Sequence, residues 1–295
     1  MNILEESKVY IANPRRTAEI MKQYQIKMKK SLGQNFLMDT NILRKMVTTA
    51  ALTDQTTVIE IGPGIGALTE FLALHSKQVY AFEIDQRFIA ILEDTLSDYD
   101  NVQIVHRDIL EVDFSAAEYQ DLRQAEDLVV VANLPYYITT PIIMGLITSG
   151  LPFRKLVMMM QKEVAQRMIA QPQTKDYGSL SIAIQNTMEA ELSFIVPRTV
   201  FNPPPNVDSA VLTLTRRMSP LVPVEDTAAF EQFVQVCFTQ RRKTLWNNLR
   251  NYYGKEQSEF LQTALDKSKI NPNQRAEELT IDDFYALYQA FNALN

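Results

Sequence analysis

A single cysteine, Cys237, stands in a chain of 295 residues. That excludes an internal disulfide and leaves too few thiols for a cysteine-based zinc site. Histidine is nearly as scarce. His75 and His106 stand alone, with no second histidine at ligand spacing, so no metal site is expected, because metal motifs need clustered ligands. Glycine is sparse at 8 residues beside 13 prolines, and no low-complexity run occurs, which argues against a fibrous or disordered chain. No apolar stretch approaches the length that spans a bilayer, and the first ten residues, with Glu5 and Glu6, contain no apolar leader segment. The chain therefore reads as a soluble, cytoplasmic protein with no membrane partner. Its 46% hydrophobic content allows a sizeable core, and its length suits one large domain with a smaller one.

The formal net charge of −6 argues mildly against a nucleic-acid partner, so its distribution matters. Residues 1–34 carry seven basic side chains (Lys8, Arg15, Arg16, Lys22, Lys27, Lys29, Lys30) against three acids (Glu5, Glu6, Glu19). Residues 35–153 carry six basic against seventeen acidic, and residues 154–217 eight against five. Two basic segments thus flank an acidic body. This is either ordinary surface charge or a local footprint for a polyanion.

From Thr56 to Lys162, short apolar runs alternate with helical patterns. TTVIEIG (56–62), QVYAFEI (78–84), NVQIVHRD (101–108), DLVVVANL (127–134) and KLVMMMQ (155–161) read as strands, and residues 66–76, 85–96 and 140–150 as helices between them. Such strands without polar alternation indicate a parallel sheet covered on both faces. ELSFIVP (191–197) and SAVLTLTRR (209–217) read as further strands, joined by VFNPPPNVD, whose three prolines make an extended loop. Residues 219–227 look like a linker, and the remainder is helical, with Thr280 and Asp283 spaced as a capping box.

The polar residues that end the first four strands are Gly62, Glu83, Asp108 and Asn133, separated by 21, 25 and 25 residues. Each interval is about one strand–helix unit, so all four fall at the carboxyl edge of a parallel sheet, where open α/β sheets bind ligands. Gly62-Pro63-Gly64-Ile65-Gly66 is a glycine-rich turn that lets a ligand approach the backbone, and Glu83 is placed to accept from ribose hydroxyls. A nicotinamide or flavin site would look similar. However, Pro63 removes one N–H that a pyrophosphate would use, and a cationic donor such as S-adenosylmethionine suits acidic surroundings better. Asp108 is either a solvated loop acid or an acceptor for the donor's adenine amino group.

Asn133-Leu134-Pro135-Tyr136 is the most informative motif. The N6 lone pair of adenine is delocalised and a poor nucleophile. A side-chain amide oxygen and a backbone carbonyl accepting both N6 hydrogens would draw that nitrogen toward tetrahedral geometry. Pro135 would aim the Leu134 carbonyl, and Tyr136 would stack the base. The alternative is a tight turn with a structural tyrosine.

With LGQNFL (32–37), EIGPGIGALTE (60–70), FEID (82–85), ANLPYYITTP (132–141), QKEVAQRM (161–168), YGSLS (177–181), FNPPPNVDSAVL (201–212) and FTQRRKTLWNNL (238–249) in this order, the chain resembles the ribosomal RNA adenine dimethyltransferases from Lys29 onward. The resemblance implies an α/β class I methyltransferase domain, Rossmann-like with a mostly parallel seven-stranded sheet (29–218), and a small all-helical RNA-binding domain (219–295). It implies N6,N6-dimethylation of two adjacent adenosines in a hairpin loop near the 3′ end of 16S rRNA, within the small ribosomal subunit or its late assembly precursor. Carried over to this sequence, the donor site comprises Asn35, Leu37, Gly62, Gly64, Glu83, Asp108 and Asn133. Phe201 becomes a second aromatic wall opposite Tyr136, and Arg241, Arg242 and Lys243 become phosphate contacts, unless they are simply a solvated helix end. Residues 1–28 form an extension with no assigned role, and Gln173 stands where a glycine is common. The competing readings are a large-subunit adenine methyltransferase of the macrolide-resistance type, and an RNA-binding assembly checkpoint.

Overall fold

The computed structural model describes residues 9–26 and 35–294. Lys8, Lys27, Lys29 and Lys30 of the basic first segment, its Glu5 and Glu6, residues 32–34 of the LGQNFL motif and the expected boundary at 28/29 lie outside the described residues. In chain order the elements are α1 (Pro14–Gln23), β1 (Phe36–Leu37), α2 (Thr40–Ala50), β2 (Thr57–Ile61), α3 (Ala67–Ala73), β3 (Gln78–Glu83), α4 (Gln86–Thr95) and β4 (Val102–His106). Then follow α5 (Gln120–Arg123), β5 (Leu128–Asn133), α6 (Thr139–Thr148), β6 (Lys155–Gln161), α7 (Lys162–Ile169), α8 (Ser179–Thr187), β7 (Met188–Val196), β8 (Phe201–Asn202) and β9 (Ser209–Arg216). The chain ends in α9 (Thr227–Cys237), α10 (Leu245–Tyr253), α11 (Ser258–Ser268) and α12 (Ile281–Asn292).

The apolar runs build one seven-stranded sheet in the order β4-β3-β2-β5-β6-β9-β7. Five neighbouring strands run parallel, and β9 lies antiparallel to β6. Val129 to Ala132 in β5 are fully buried, as expected of a strand covered on both faces. The registers explain how distant residues come together. Ile61 lies opposite Phe82 and Ala132, Glu83 opposite His106, and Asn133 opposite Met159. The polar residues that follow or close these strands therefore share one edge. The strand order reverses between β2 and β5, which is the switch point where such sheets hold ligands.

The extension beyond the expected domain contains a docked helix. Asn13 caps α1 by accepting the Arg15 N–H, with Pro14 at the first helical position, where its missing N–H costs nothing. Glu70, in the first turn of α3, accepts the Ile11 N–H at 2.7 Å and the Tyr99 hydroxyl at 2.8 Å. Tyr10, Ile11, Ala12 and Ile20 join the same apolar cluster as Phe71 and Leu72.

By contact density the chain forms two compact units, one of Met1–Ala165 with Glu191–Thr215, the other of Gln166–Ala190 with Arg216–Asn295. They interleave along the sequence instead of meeting once at residue 218. The reason is apolar: Ala170, Tyr177 and Ile182 bury themselves with Phe233, Leu249, Leu265 and Phe284 of the helical unit. Cys237 lies in that cluster, where burial pushes its thiol pKa up and leaves it neutral. The capping box expected before α12 is formed, with Thr280 accepting the Asp283 N–H and Asp283 accepting the Thr280 N–H. Gln173 adopts a left-handed φ of 67°, the conformation for which glycine is the default residue, and its N–H is held by the Glu277 carbonyl at 2.7 Å.

Candidate functional site

A cavity opens at the carboxyl edge beside β2 and β5, and the turn Gly62–Gly66 forms its floor. Gly64 has a φ of 60°, and a Cβ there would meet the Phe36 ring at 3.1 Å, so both backbone and space demand glycine. The three glycine N–H groups of the turn are already engaged. Gly62 donates to the Phe82 carbonyl at 2.9 Å, Gly64 to Glu83 Oε2 at 3.2 Å and Gly66 to the Pro63 carbonyl at 3.0 Å. With Pro63 lacking an N–H, these positions offer no donor to a pyrophosphate, which removes the main argument for a dinucleotide.

Two carboxylates line this floor. Glu83, 5% exposed, accepts the Gly64 N–H on one oxygen and the Asp85 N–H on the other at 2.8 Å. These bonds fix its plane and leave each oxygen a further lone pair. Burial raises its pKa, the Asp85 and Gly64 N–H groups pull it down, the Asp85 charge raises it again, and the Ile84 backbone lowers it slightly. Glu60, at the end of β2, is 1% exposed, and its Oε2 has no hydrogen-bond partner. Burial pushes its pKa from 4.5 up to about 8, against a lowering by the Thr69 side chain and with a further push from Glu83. Near neutrality the group is therefore a neutral carboxyl with one unpartnered oxygen, and a cation at the site would draw it toward its ionised form. The walls mix apolar side chains, among them Phe36, Phe82, Ile84 and Ile109, with the polar Asn35, Arg107, Asp108 and Asn133. Three acids, Glu60, Glu83 and Asp108, against one basic residue, Arg107, with apolar faces between them, fit a cationic nucleoside ligand such as S-adenosylmethionine.

The structure brings Asn35, Leu37, Gly62, Gly64, Glu83, Asp108, Asn133, Leu134 and Tyr136 together on this one cavity. Asp108 caps the short turn Ile109–Glu111 by accepting the Leu110 N–H at 3.0 Å. The Leu134 N–H is bound to the Met159 carbonyl at 2.9 Å, which extends the β5–β6 pairing one residue beyond Asn133. The Pro135 carbonyl accepts the Thr139 hydroxyl at 3.0 Å, closing the turn that carries Tyr136.

Two expected residues stand elsewhere. Phe201 is 3% exposed and is not among the residues lining the cavity. It pairs with Leu37 in the two-stranded ladder of β1 and β8 and belongs to the buried apolar cluster that includes Phe36 and Leu37. The Arg241 guanidinium donates to the carbonyls of Lys175 and Tyr177 and pairs with Glu277 at 3.6 Å. Although exposed like Arg242 and Lys243, it therefore braces a loop of its own unit. Several cavity residues were not expected from the sequence, among them Arg107, Glu60 and Tyr137. Glu60 was legible as an acid inside an otherwise apolar strand. Tyr137, 54% exposed at the cavity beside Tyr136, carries no signal beyond the doubled tyrosine. Among the described residues, no group of three or more metal-type side chains could hold a metal ion, and no helix is long and apolar enough to cross a membrane.

The family model described as ribosomal RNA adenine dimethylase matches residues 25–293. The chain is 57% identical over 282 residues to ribosomal RNA small subunit methyltransferase A of Geobacillus sp. (strain WCH70), covering 95% of this chain and 97% of that protein. It is similar in structure to a dimethyladenosine transferase from Plasmodium falciparum, with a TM-score of 0.73 and 26% identity, covering 88% of this chain and 98% of the other. It is also similar to the 23S rRNA methyltransferase ErmE, with a TM-score of 0.64 and 28% identity, covering 88% and 100% of the two chains.

Proposed function

The chain belongs to the ribosomal RNA adenine dimethylase family, and from that premise we propose that it dimethylates N6 of two adjacent adenosines in small-subunit rRNA, using S-adenosylmethionine held on Glu60, Glu83 and Asp108. It is a ribosomal RNA methyltransferase. The observation that carries the finer reading is the placement of Asn133-Leu134-Pro135-Tyr136 at the rim of a cavity whose floor is two buried carboxylates. The 57% identity to a small-subunit relative, against 28% to the 23S enzyme, favours the small subunit. The substrate is the hairpin loop near the 3′ end of 16S rRNA in a late assembly particle, which places the work in the cytoplasm.

When bound, S-adenosylmethionine supplies an electrophilic methyl group on a sulfonium. Glu83 would accept from the ribose hydroxyls, Asp108 from the adenine amino group, and Asn35 and Leu37 would close the side of the cavity. The target adenine leaves its loop to reach the strand ends, as base-modifying enzymes require. Tyr136 stacks it, and Phe201 backs the wall from the core. In the first transfer the Asn133 amide oxygen and the Leu134 carbonyl would accept the two N6 hydrogens, and in the second one of them would accept the single hydrogen that remains, which would direct the nitrogen lone pair toward the methyl group. As N6 bonds the methyl carbon, the carbon–sulfur bond would break and leave neutral S-adenosylhomocysteine, and N6 would then lose a proton to solvent, so no general base is required before attack. The test is incubation with labelled donor and either unmethylated small-subunit particles or large-subunit particles. Label should enter the small-subunit RNA, and label in large-subunit RNA alone would replace this reading with the macrolide-resistance type.

Glu60 gives a pH signature. The folded protein keeps this proton up to about pH 8, whereas the unfolded chain loses it near 4.5. Its contribution to stability is thus full below 4.5 and is lost as pH rises toward about 8. A cation seated against the carboxylate lowers that pKa, so donor binding near neutrality should release a proton, and affinity should rise with pH up to about 8. Calorimetry in buffers of different ionisation enthalpy reads the proton directly, and Glu60→Gln should abolish it. Equal proton release from Glu60→Gln and the parent would show that another group titrates.

All three charges of the triplet are exposed, but Arg241 is engaged by the Lys175 and Tyr177 carbonyls and by Glu277, which leaves Arg242 and Lys243 to be tested against RNA. Neutralising both should lower affinity for the particle and reduce the salt slope by about 2, with donor affinity unchanged, because phosphate contacts act through counterion release. Parallel salt slopes for mutant and parent would take these side chains off the RNA.

A further inference from the structure

The Tyr136 hydroxyl shares a 2.8 Å hydrogen bond with the Ser209 hydroxyl, 73 residues away in sequence. Ser209 is fully buried and begins β9, opposite Gln161 at the end of β6. Because β9 runs antiparallel to β6, its first residue lies at the same sheet edge as the end of β5. The backbone just before Ser209 is tightly held. The Asp208 carbonyl accepts the Lys162 N–H at 3.1 Å, and the Asp208 side chain accepts the Arg198 N–H at 3.0 Å. The Arg198 guanidinium donates to the Asn206 carbonyl at 3.1 Å. The proline-rich connection therefore ends in a hydroxyl with little freedom to move. At its other end, the Tyr136 ring grows from the turn closed by Thr139 on the Pro135 carbonyl.

We infer that Ser209 is a positioning residue for methyl transfer, holding the Tyr136 ring in the plane against which the target adenine stacks. This rests on the reading of Tyr136 as the stacking face. A ring tethered only at Cβ rotates about two side-chain torsions, and each excursion tilts the stacked base and moves N6 off the line to the methyl group. Small misplacements of this kind reduce rate strongly because the reacting atoms must be held in a near-attack arrangement. A tether at the far end of the ring removes that freedom without touching the base. Burial also raises the Tyr136 pKa, which keeps the hydroxyl neutral at working pH. The proline-rich loop thus acts on the reaction through Ser209, although Phe201 within it faces the core.

The test is single-turnover methylation of unmethylated small-subunit particles by the full-length protein at saturating donor and RNA, with donor affinity measured on each variant. Ser209→Ala and Tyr136→Phe remove the same bond from its two ends. Each should slow the step by about fivefold, the scale of one net hydrogen bond, with donor affinity unchanged. The double variant should be no slower than either single one, since residues sharing one bond do not add. A Ser209→Ala protein that binds donor normally and runs at the parental rate would overturn the inference. So would a double variant whose loss is the product of the single losses. Tyr136→Ala separates the premises. If it is slow while Ser209→Ala is not, only the positioning fails. If Tyr136→Ala also runs at the parental rate, the stacking reading fails and takes the positioning with it.

Discussion

Replacing Asn133 by Ala is expected to slow single-turnover methylation by about a hundredfold or more at saturating donor and RNA, the scale set by removal of one group that acts on charge developing in a transition state. Asn133 closes β5 at the cavity rim, in register with Met159 of β6, so its amide projects from a strand that cannot shift. The effect should appear in the rate and not in RNA affinity, because the interaction strengthens as N6 becomes tetrahedral. Donor affinity must be followed in parallel, since Asn133 lines the cavity proposed to hold the donor. An Asn133→Ala protein with the parental rate under saturation would remove N6 activation from the account. Tyr136→Ala belongs with this prediction, because it deletes the stacking face, worth about 1–3 kcal/mol per base.

Glu83→Ala should weaken S-adenosylmethionine binding by about 1.5–3 kcal/mol, roughly ten- to a hundredfold, the range for hydrogen bonds to a charged group. The mutation also leaves the Gly64 and Asp85 N–H groups without their acceptor, so part of the loss comes from a loosened turn. It should make Glu60 easier to ionise, because the Glu83 charge is one of the causes of the raised Glu60 pKa. Titration calorimetry settles both effects. Undiminished donor affinity, or tight binding of a nicotinamide dinucleotide by the parent, would place the donor elsewhere.

Much of the frame was legible because each parallel unit returns the chain to the same edge after a nearly constant length. Gly62, Glu83, Asp108 and Asn133 announce that edge by interrupting apolar runs, and the ladder registers bring them onto one cavity. What escaped was decided by distant partners. Phe201 faces the core because β8 pairs with β1, a ladder that two residues on each strand cannot advertise. Arg241 reaches carbonyls 66 and 64 residues away, so its charge alone suggested a freer group than the structure holds. Residues 166–190 join the helical unit through Tyr177 and Ile182, whose apolar character says that they are buried but not against what. Glu60 was visible as an acid in a buried strand. Only the three-dimensional structure shows that one of its oxygens has no partner.

Where the methyl group lands tests the central claim most directly. Small-subunit particles lacking the modification, treated with the protein and labelled S-adenosylmethionine, can be digested to nucleosides and the label assigned by mass and chromatography. The account predicts N6,N6-dimethyladenosine from two adjacent positions, with N6-monomethyladenosine as the precursor at early times. Label on a ring nitrogen or carbon of adenine, or on a ribose hydroxyl, would contradict the geometry assigned to Asn133, Leu134 and Tyr136.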